Sequence, residues 1–298
     1  TVTVQSSEIL YIEIQFMNMT EAGDISGLTT DGMLLLYAQG YGAAGYIGNV
    51  TVYWALTGGI GTFNTTLGTS VALDLTRPGT GFVIGYTSGG ALIDITGDIS
   101  VGLGAITYTL NPAAGAQTPA DVDFQFTVMA TDGDGNPAAL PAIAWSAENG
   151  TIADGLFTPW RVGSWWGAAD IGGAWLNATI TVTEGALAGI AVTPGYAEAA
   201  AGEAVAFSIA GTDSKGNTVT SMSGATLWYL DGEMLASASI SSDLAGNHTV
   251  FASRAGLLGV GYLNVIAAAG STIVIDQTGV SMTADEDCTF TVTILDQY

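Results

Sequence analysis

The chain has 298 residues, of which 48% are hydrophobic and only 10% charged, and its net charge of −23 comes from 27 acidic residues against four Lys and Arg. A surface this negative repels phosphate backbones and anionic headgroups, which argues against nucleic acid as a partner, while it attracts divalent cations. No run of 18 apolar residues lacks polar or glycine interruption, so no membrane span is expected, and the lone Cys288 leaves no intrachain disulfide.

The predicted elements are short strands. LYIEIQF (Leu10 to Phe16) alternates as an edge strand does, MLLLYA (Met33 to Ala38) reads as a buried one, and VTVYWAL (Val50 to Leu56) carries Trp54. The link between the last two, GYGAAGYIGN, is longer than a hairpin turn. ITYTLNP then opens a second set, followed by FQFTVMATDGDGN (Phe124 to Asn136) and AIAW, which ends at Trp145. A third set repeats the order with IAVTP, AVAFSIAGTDSKGN and ATLWYL, which holds Trp228. AEAAAGEA, from Ala197, is the most helix-like stretch and reads as one helical turn in a loop. The only His, His248, reads as an exposed strand position.

Spacing turns these sets into a repeat. Phe126 and Val128 lead to Trp145, Phe207 and Ile209 to Trp228, and Leu34 and Leu36 to Trp54, with 17, 19 and 18 residues from the second apolar residue to the Trp. The set leading to Trp54 is the looser copy, with Gly40 where the others carry a turn Asp. The division expected is a last strand of a preceding domain at 1–7, domains at 8–98, 99–184 and 185–269, and the first two strands of a further domain at 270–298. Links of a few residues, such as TEGALAG, predict semi-rigid connections. Arg77-Pro78-Gly79, Arg161-Val162-Gly163 and Arg254-Ala255-Gly256 each follow their Trp by 16 to 26 residues and contain every Arg in the chain. The favoured reading is structural, with the guanidinium tying a corner while Gly supplies the turn; the alternative is a contact between subunits.

About seven short strands per unit with a Trp on the third fit an immunoglobulin-like sandwich, so the fold class is all-β, a tandem row of such domains. The pattern F-x-[VI]-x-x-x-D, then GN, then W, then R-x-G resembles bacterial Ig-like (Big) and invasin-type repeats. The resemblance implies the tandem sandwich fold and the settings in which such repeats occur: prokaryotic adhesins, surface-layer proteins and extracellular filaments.

Six N-x-[ST] sequons, at Asn18, Asn49, Asn64, Asn149, Asn177 and Asn247, exceed what chance gives from ten Asn and predict N-linked glycans on an exported protein. So many sequons with so few cations suggest an archaeal surface glycoprotein. Asp132, Asp134 and Asn136 imitate the first half of a calcium loop, but its closing Glu is missing, so a hairpin turn is the favoured reading. No cofactor is required; calcium at acidic loops or between subunits is the alternative. Trp160, Trp165, Trp166 and Trp175 crowd one stretch, read as interface anchors in preference to a sugar platform. No phosphate loop, H-E-x-x-H or G-x-S-x-G occurs, and an enzyme is not expected. The expectation is a structural component of an extracellular, cell-surface lattice or filament, partnered by copies of itself; the competing class is an adhesin using the Trp-rich region. TVTVQSSEILYIEI reads like TITVTEGALAGIAV (Thr179 to Val192), so the chain is expected to continue at both ends, with Thr1 to Gln5 as a donated strand the alternative.

Overall fold

The computed structural model describes residues 8–276 and 279–298, and all their regular structure is β-strand. The strand expected at Thr1 to Gln5 lies outside the described residues. No helix among the described residues is long and apolar enough to cross a membrane. The chain forms two compact units whose division passes through the second repeat. One holds the chain to Ala113 with Thr127–Ala144 and Ala168–Asn177; the other holds Ala114–Phe126, Trp145–Gly167 and Ala178–Tyr298.

In the first unit, Tyr11–Gln15 pairs with Met33–Gly42, which pairs with Ser70–Leu75, and Gly61–Phe63 closes that sheet. A second sheet runs Ile93–Ile95, Val83–Tyr86, Val52–Leu56, Leu67–Gly68. Alternation sends Leu34, Leu36 and Ala38 inward to meet Val71, Leu73, Val83 and Trp54 in one buried cluster. Trp54 is 3% exposed, and its Nε1 donates to the Gly68 carbonyl at 3.1 Å. The glycine-rich link is a hairpin, for the strand continues to Gly42 and returns as Gly45–Asn49. Gly40 lies inside that strand because a Cβ there would sit 2.5 Å from Val50 Cγ2. The unit also holds the pair Thr107–Asn111 and Thr127–Thr131, which buries Leu110, Val128 and Ala130.

In the second unit, Ala116–Pro119 runs parallel to residues 180–183, and Phe124–Gln125 joins Leu156–Pro159 and Gly150–Ala153. Trp145 departs from the expected core position, being only half-buried. The rings of Phe126 and Phe157, 6.3 Å apart and both buried, fill the centre instead. The Trp145 indole lies over Gly155, 3.1 Å from where a Cβ would stand. Trp228, by contrast, is 7% exposed and packs with Phe207, Ile240, Val250 and Leu263. The helix-like AEAAAGEA is a strand, Tyr196–Ala200, paired in parallel with Leu257–Ile266. Ladder bonds and burial of Ala199 outweigh alanine's helix preference. Leu257–Ile266 then pairs with Gly246–Arg254, which pairs with Leu227–Leu230. Thr272–Ile275 and Val292–Leu295 form a separate hairpin.

His248 is buried, not exposed, because it takes an inward position of Gly246–Arg254. Its Nδ1 lies 2.7 Å from Asp231 Oδ2 and its Nε2 2.7 Å from the Leu244 carbonyl. Only the imidazolium donates from both nitrogens, so the bonds to Asp231 and Leu244 raise the His248 pKa against the opposing effect of burial.

Replacing Trp54 or Trp228 with Ala is expected to cost about 3 to 5 kcal/mol in its own repeat, and Trp145→Ala about half as much, because its indole keeps a solvated face. Hydrogen exchange at Leu73, Leu263 and Phe157 amides checks the three repeats separately. Because the folded His248 pKa lies above its unfolded value, the stability it adds is whole below the ordinary histidine range and is lost as pH rises through the raised value. A proton titration of the His248 ring, with unfolding followed in parallel for the parent and His248→Gln, tests the sign.

Candidate functional site: a repeated junction between domains

Each link between repeats places backbone N–H groups where no strand neighbour can accept them, and such donors need partners. A carboxylate supplies them. At the first link, Gly104 N donates to Thr30 Oγ1 at 2.8 Å, and that hydroxyl donates to Asp132 Oδ2 at 2.6 Å. At the second, Gly185 N donates directly to Asp213 Oδ2 at 3.0 Å. The difference follows from one side chain. Thr30, Ala120 and Ala201 are equivalent, each donating its backbone N–H to the last strand of its repeat, at Gly102, Thr183 and Ile266. Where Ala replaces Thr there is no hydroxyl to relay, and the carboxylate meets the amide itself. Ala268 N and Asp296 Oδ2, 3.0 Å apart, repeat the direct form at a third link.

The TDGDGN and TDSKGN loops fold alike around these carboxylates. Asp132 N donates to Asn136 O, and Asp213 N to Asn217 O. Asn136 Nδ2 bonds both Asp132 oxygens and reaches the Thr76 carbonyl of the preceding repeat at 2.9 Å. Asn217 Nδ2 likewise bonds Asp213 and reaches the Trp160 carbonyl at 3.0 Å. Thr76 and Trp160 each immediately precede an R-x-G, so the two repeated motifs of the sequence meet at the junction. They meet through backbone. Arg77 and Arg161 are exposed, which departs from the structural corner tie expected of their guanidinium groups; Arg77 N donates to the Ile60 carbonyl, and Arg161 O accepts from Asn149 Nδ2 and Trp165 Nε1. Arg254 does tie a corner with its guanidinium, to Ser223 O, Thr226 Oγ1 and Met222 O.

A second carboxylate holds the next amide at the first two links. Asp31 Oδ2 accepts from Ala105 N at 2.6 Å, and Asp121 Oδ2 from Ala186 N at 2.9 Å. These approaches require glycine in the link, since a Cβ on Gly104 would stand 2.5 Å from Asp31 and one on Gly185 2.8 Å from Asp121. Glu184 adds a further tie at the second link, accepting from the backbone and hydroxyl groups of Thr220 and Ser221.

Burial alone would raise the Asp132 pKa, but hydrogen bonds from Thr30, Asn136 and Asp134 hold it at about 2. Asp213 is lowered by Asn217, Gly185 and Lys215 against the same burial. Bonds from Ser221 and Thr220 lower Glu184 to about 2. Asp134 is raised by burial and by the charges of Asp132, Asp74 and Asp31; with Arg77, Pro78 and Pro137 it lines an open cleft of about 690 Å³. Within this loop the protein's own donors occupy the carboxylate. Asp132 spends both oxygens on protein donors, and Asn136 points its Nδ2, a donor, at the carboxylate. Among the described residues no group of three or more His, Cys, Asp or Glu could hold a metal.

Of the sequons, Asn18, Asn49, Asn64, Asn177 and Asn247 are exposed. Asn149 is 7% exposed and spends its Nδ2 on Arg161 O, so it departs from the expected acceptor role. Trp160 and Trp166 are exposed, Trp165 is half-buried with its indole N–H donated to Arg161 O, and Trp175, also exposed, belongs to the other unit.

Asp132→Ala should speed hydrogen exchange at the Gly104 and Ala105 amides on the order of tenfold while leaving Leu36 and Val128 unchanged. Since the folded Asp132 pKa is depressed, its contribution is whole above the ordinary carboxylate range and lost as pH falls toward about 2. Parent exchange at the two linker amides, referenced to Leu36 and corrected for intrinsic rate, should rise across that interval and should not in the variant.

No protein-family model and no curated protein matches the sequence. Among solved structures the chain is similar to FdeC, a broadly conserved Escherichia coli adhesin, at 13% identity over 86% of this chain and 96% of that one, with a TM-score of 0.45. It is similar to invasin, a bacterial integrin-binding protein, at 15% identity over 95% of this chain and 66% of that one, with a TM-score of 0.46. Domains 1–6 of the surface layer protein SbsC match at 15% identity and a TM-score of 0.27, over 92% of this chain and 45% of that one. At such identities and TM-scores the likenesses say nothing of the chain's role, and its all-β fold rests on the strand pairings described above.

Proposed function

We propose that the chain is a structural segment of a prokaryotic, and specifically archaeal, cell-surface assembly, an extracellular lattice or filament in which copies of it associate. The observation that carries this reading is the junction clamp, in which Asp132 with Asn136 and Asp213 with Asn217 fix successive links, the first carboxylate through Thr30 and the second directly. A module whose links are held by buried carboxylates suits repetition under tension and needs no active site. Five exposed sequons agree with an exported glycoprotein, and the acidic surface keeps copies soluble until specific faces meet. The adhesin reading has one observation in its favour, the exposure of Trp160, Trp166 and Trp175.

Electron micrographs of native material are expected to show a sheet or fibre, and intact-mass analysis to find sugar on several of the exposed Asn but none on Asn149. Dispersed molecules, together with saturable glycan binding lost on replacing Trp165 and Trp166, would favour the adhesin. An unmodified native chain would remove the glycoprotein part of the proposal.

A further inference from the structure

The outer face of the third repeat's larger sheet presents its side chains in rows, because strand register aligns them. One row runs Glu198, Asn264, Asn247, and the next runs Tyr196, Tyr262, Thr249. Their neighbours along the strands, Ala199, Leu263 and His248, point into the core, so all six of these side chains belong to one outer face. Tyr196 is 59% exposed and Tyr262 52%, large aromatic surfaces that packing within the repeat leaves in water. Glu198 Oε2 accepts from Asn264 Nδ2 at 3.0 Å, which orients the amide. Tyr196, Asn247, Thr249 and Tyr262 border a shallow cavity of about 330 Å³, floored by His248.

Two adjacent rows thus offer different chemistry, phenol rings with apolar faces in one and amide and carboxylate groups in the other. A pyranose ring has the matching pair of surfaces, a C–H face that stacks on an aromatic ring and a rim of hydroxyls that bond amides and carboxylates. No cation lies in either row, so a phosphate or sulfate finds no counter-charge. A wholly apolar partner would leave Asn247, Asn264 and Glu198 desolvated without bonds.

We propose that this face is a saccharide-binding site for a neutral pyranose-containing glycan, seated on Tyr196 and Tyr262 and bonded by Asn247, Asn264 and Glu198. The proposal stands apart from the structural role argued above, since it concerns one face of one repeat. The sugar comes either from outside or from a glycan carried on Asn247 itself, and the ring chemistry is the same.

The test is calorimetric and saturation-transfer titration of the full, unmodified chain with maltotriose and, separately, triacetylchitotriose. Saturable binding of at least one probe is expected, weakened about five- to tenfold by Tyr262→Thr and by Asn264→Ala, both at solvent-facing positions. Replacing Trp165 and Trp166 should leave it unchanged, so failure of the adhesin reading and failure of this one are separable. With sugar installed on Asn247, exclusion of the probe identifies the chain's own glycan as the occupant, and continued binding identifies an outside one. No saturable binding of either probe, or binding that both third-repeat variants leave intact, overturns the proposal.

Discussion

The arrangement depends on a carboxylate that takes in the backbone N–H of a linker. In most proteins a buried Asp finds Lys or Arg, but this chain has four such cations against 27 acids, and among the described residues the ion pair is His248 with Asp231. Its buried carboxylates must be satisfied by neutral donors, and the donors in surplus at a domain boundary are linker amides. Each need answers the other. The linker is ordered because an acid needs it, and the acid stays ionised because several N–H and O–H groups converge on it.

Much of this was legible in the sequence. An apolar run marked the strand around Leu36 and alternation those around Val128 and Ile209, because the pleat is local in the chain. The Asp and Asn of TDGDGN and TDSKGN were visible as turns, yet their role was not. The two loops differ in their middle residues, whereas the bonds that matter come from the Asp and the final Asn, which both loops share. The partners of those residues, Thr30 and Gly185, lie 102 and 28 residues away. No local pattern could pair them.

The misses share a cause. Trp145 and the AEAAAGEA stretch each met a neighbour that the sequence alone does not place: Phe157 in the core, and the strand Leu257–Ile266 alongside. Asn149 was matched by its motif and is withdrawn from solvent by a carbonyl 12 residues on. In each case a non-local contact overrode a sound local preference.

The linker glycines carry a consequence for evolution by shuffling. Gly104 and Gly185 lack a side chain opposite Asp31 and Asp121, whereas the third link has Ala268 at that position and its loop has Gly202 in place of the Asp, with the Tyr298 ring filling the space. A gain of volume on one side is met by its loss on the other, between a repeat's loop and the link that ends the same repeat. The loop and the link must therefore travel together: a link with Ala joined to a repeat whose loop bears Asp would bring a Cβ against the carboxylate. A recombination break placed between a loop and its link would bring mismatched partners together, whereas one placed beyond the link keeps each pair intact.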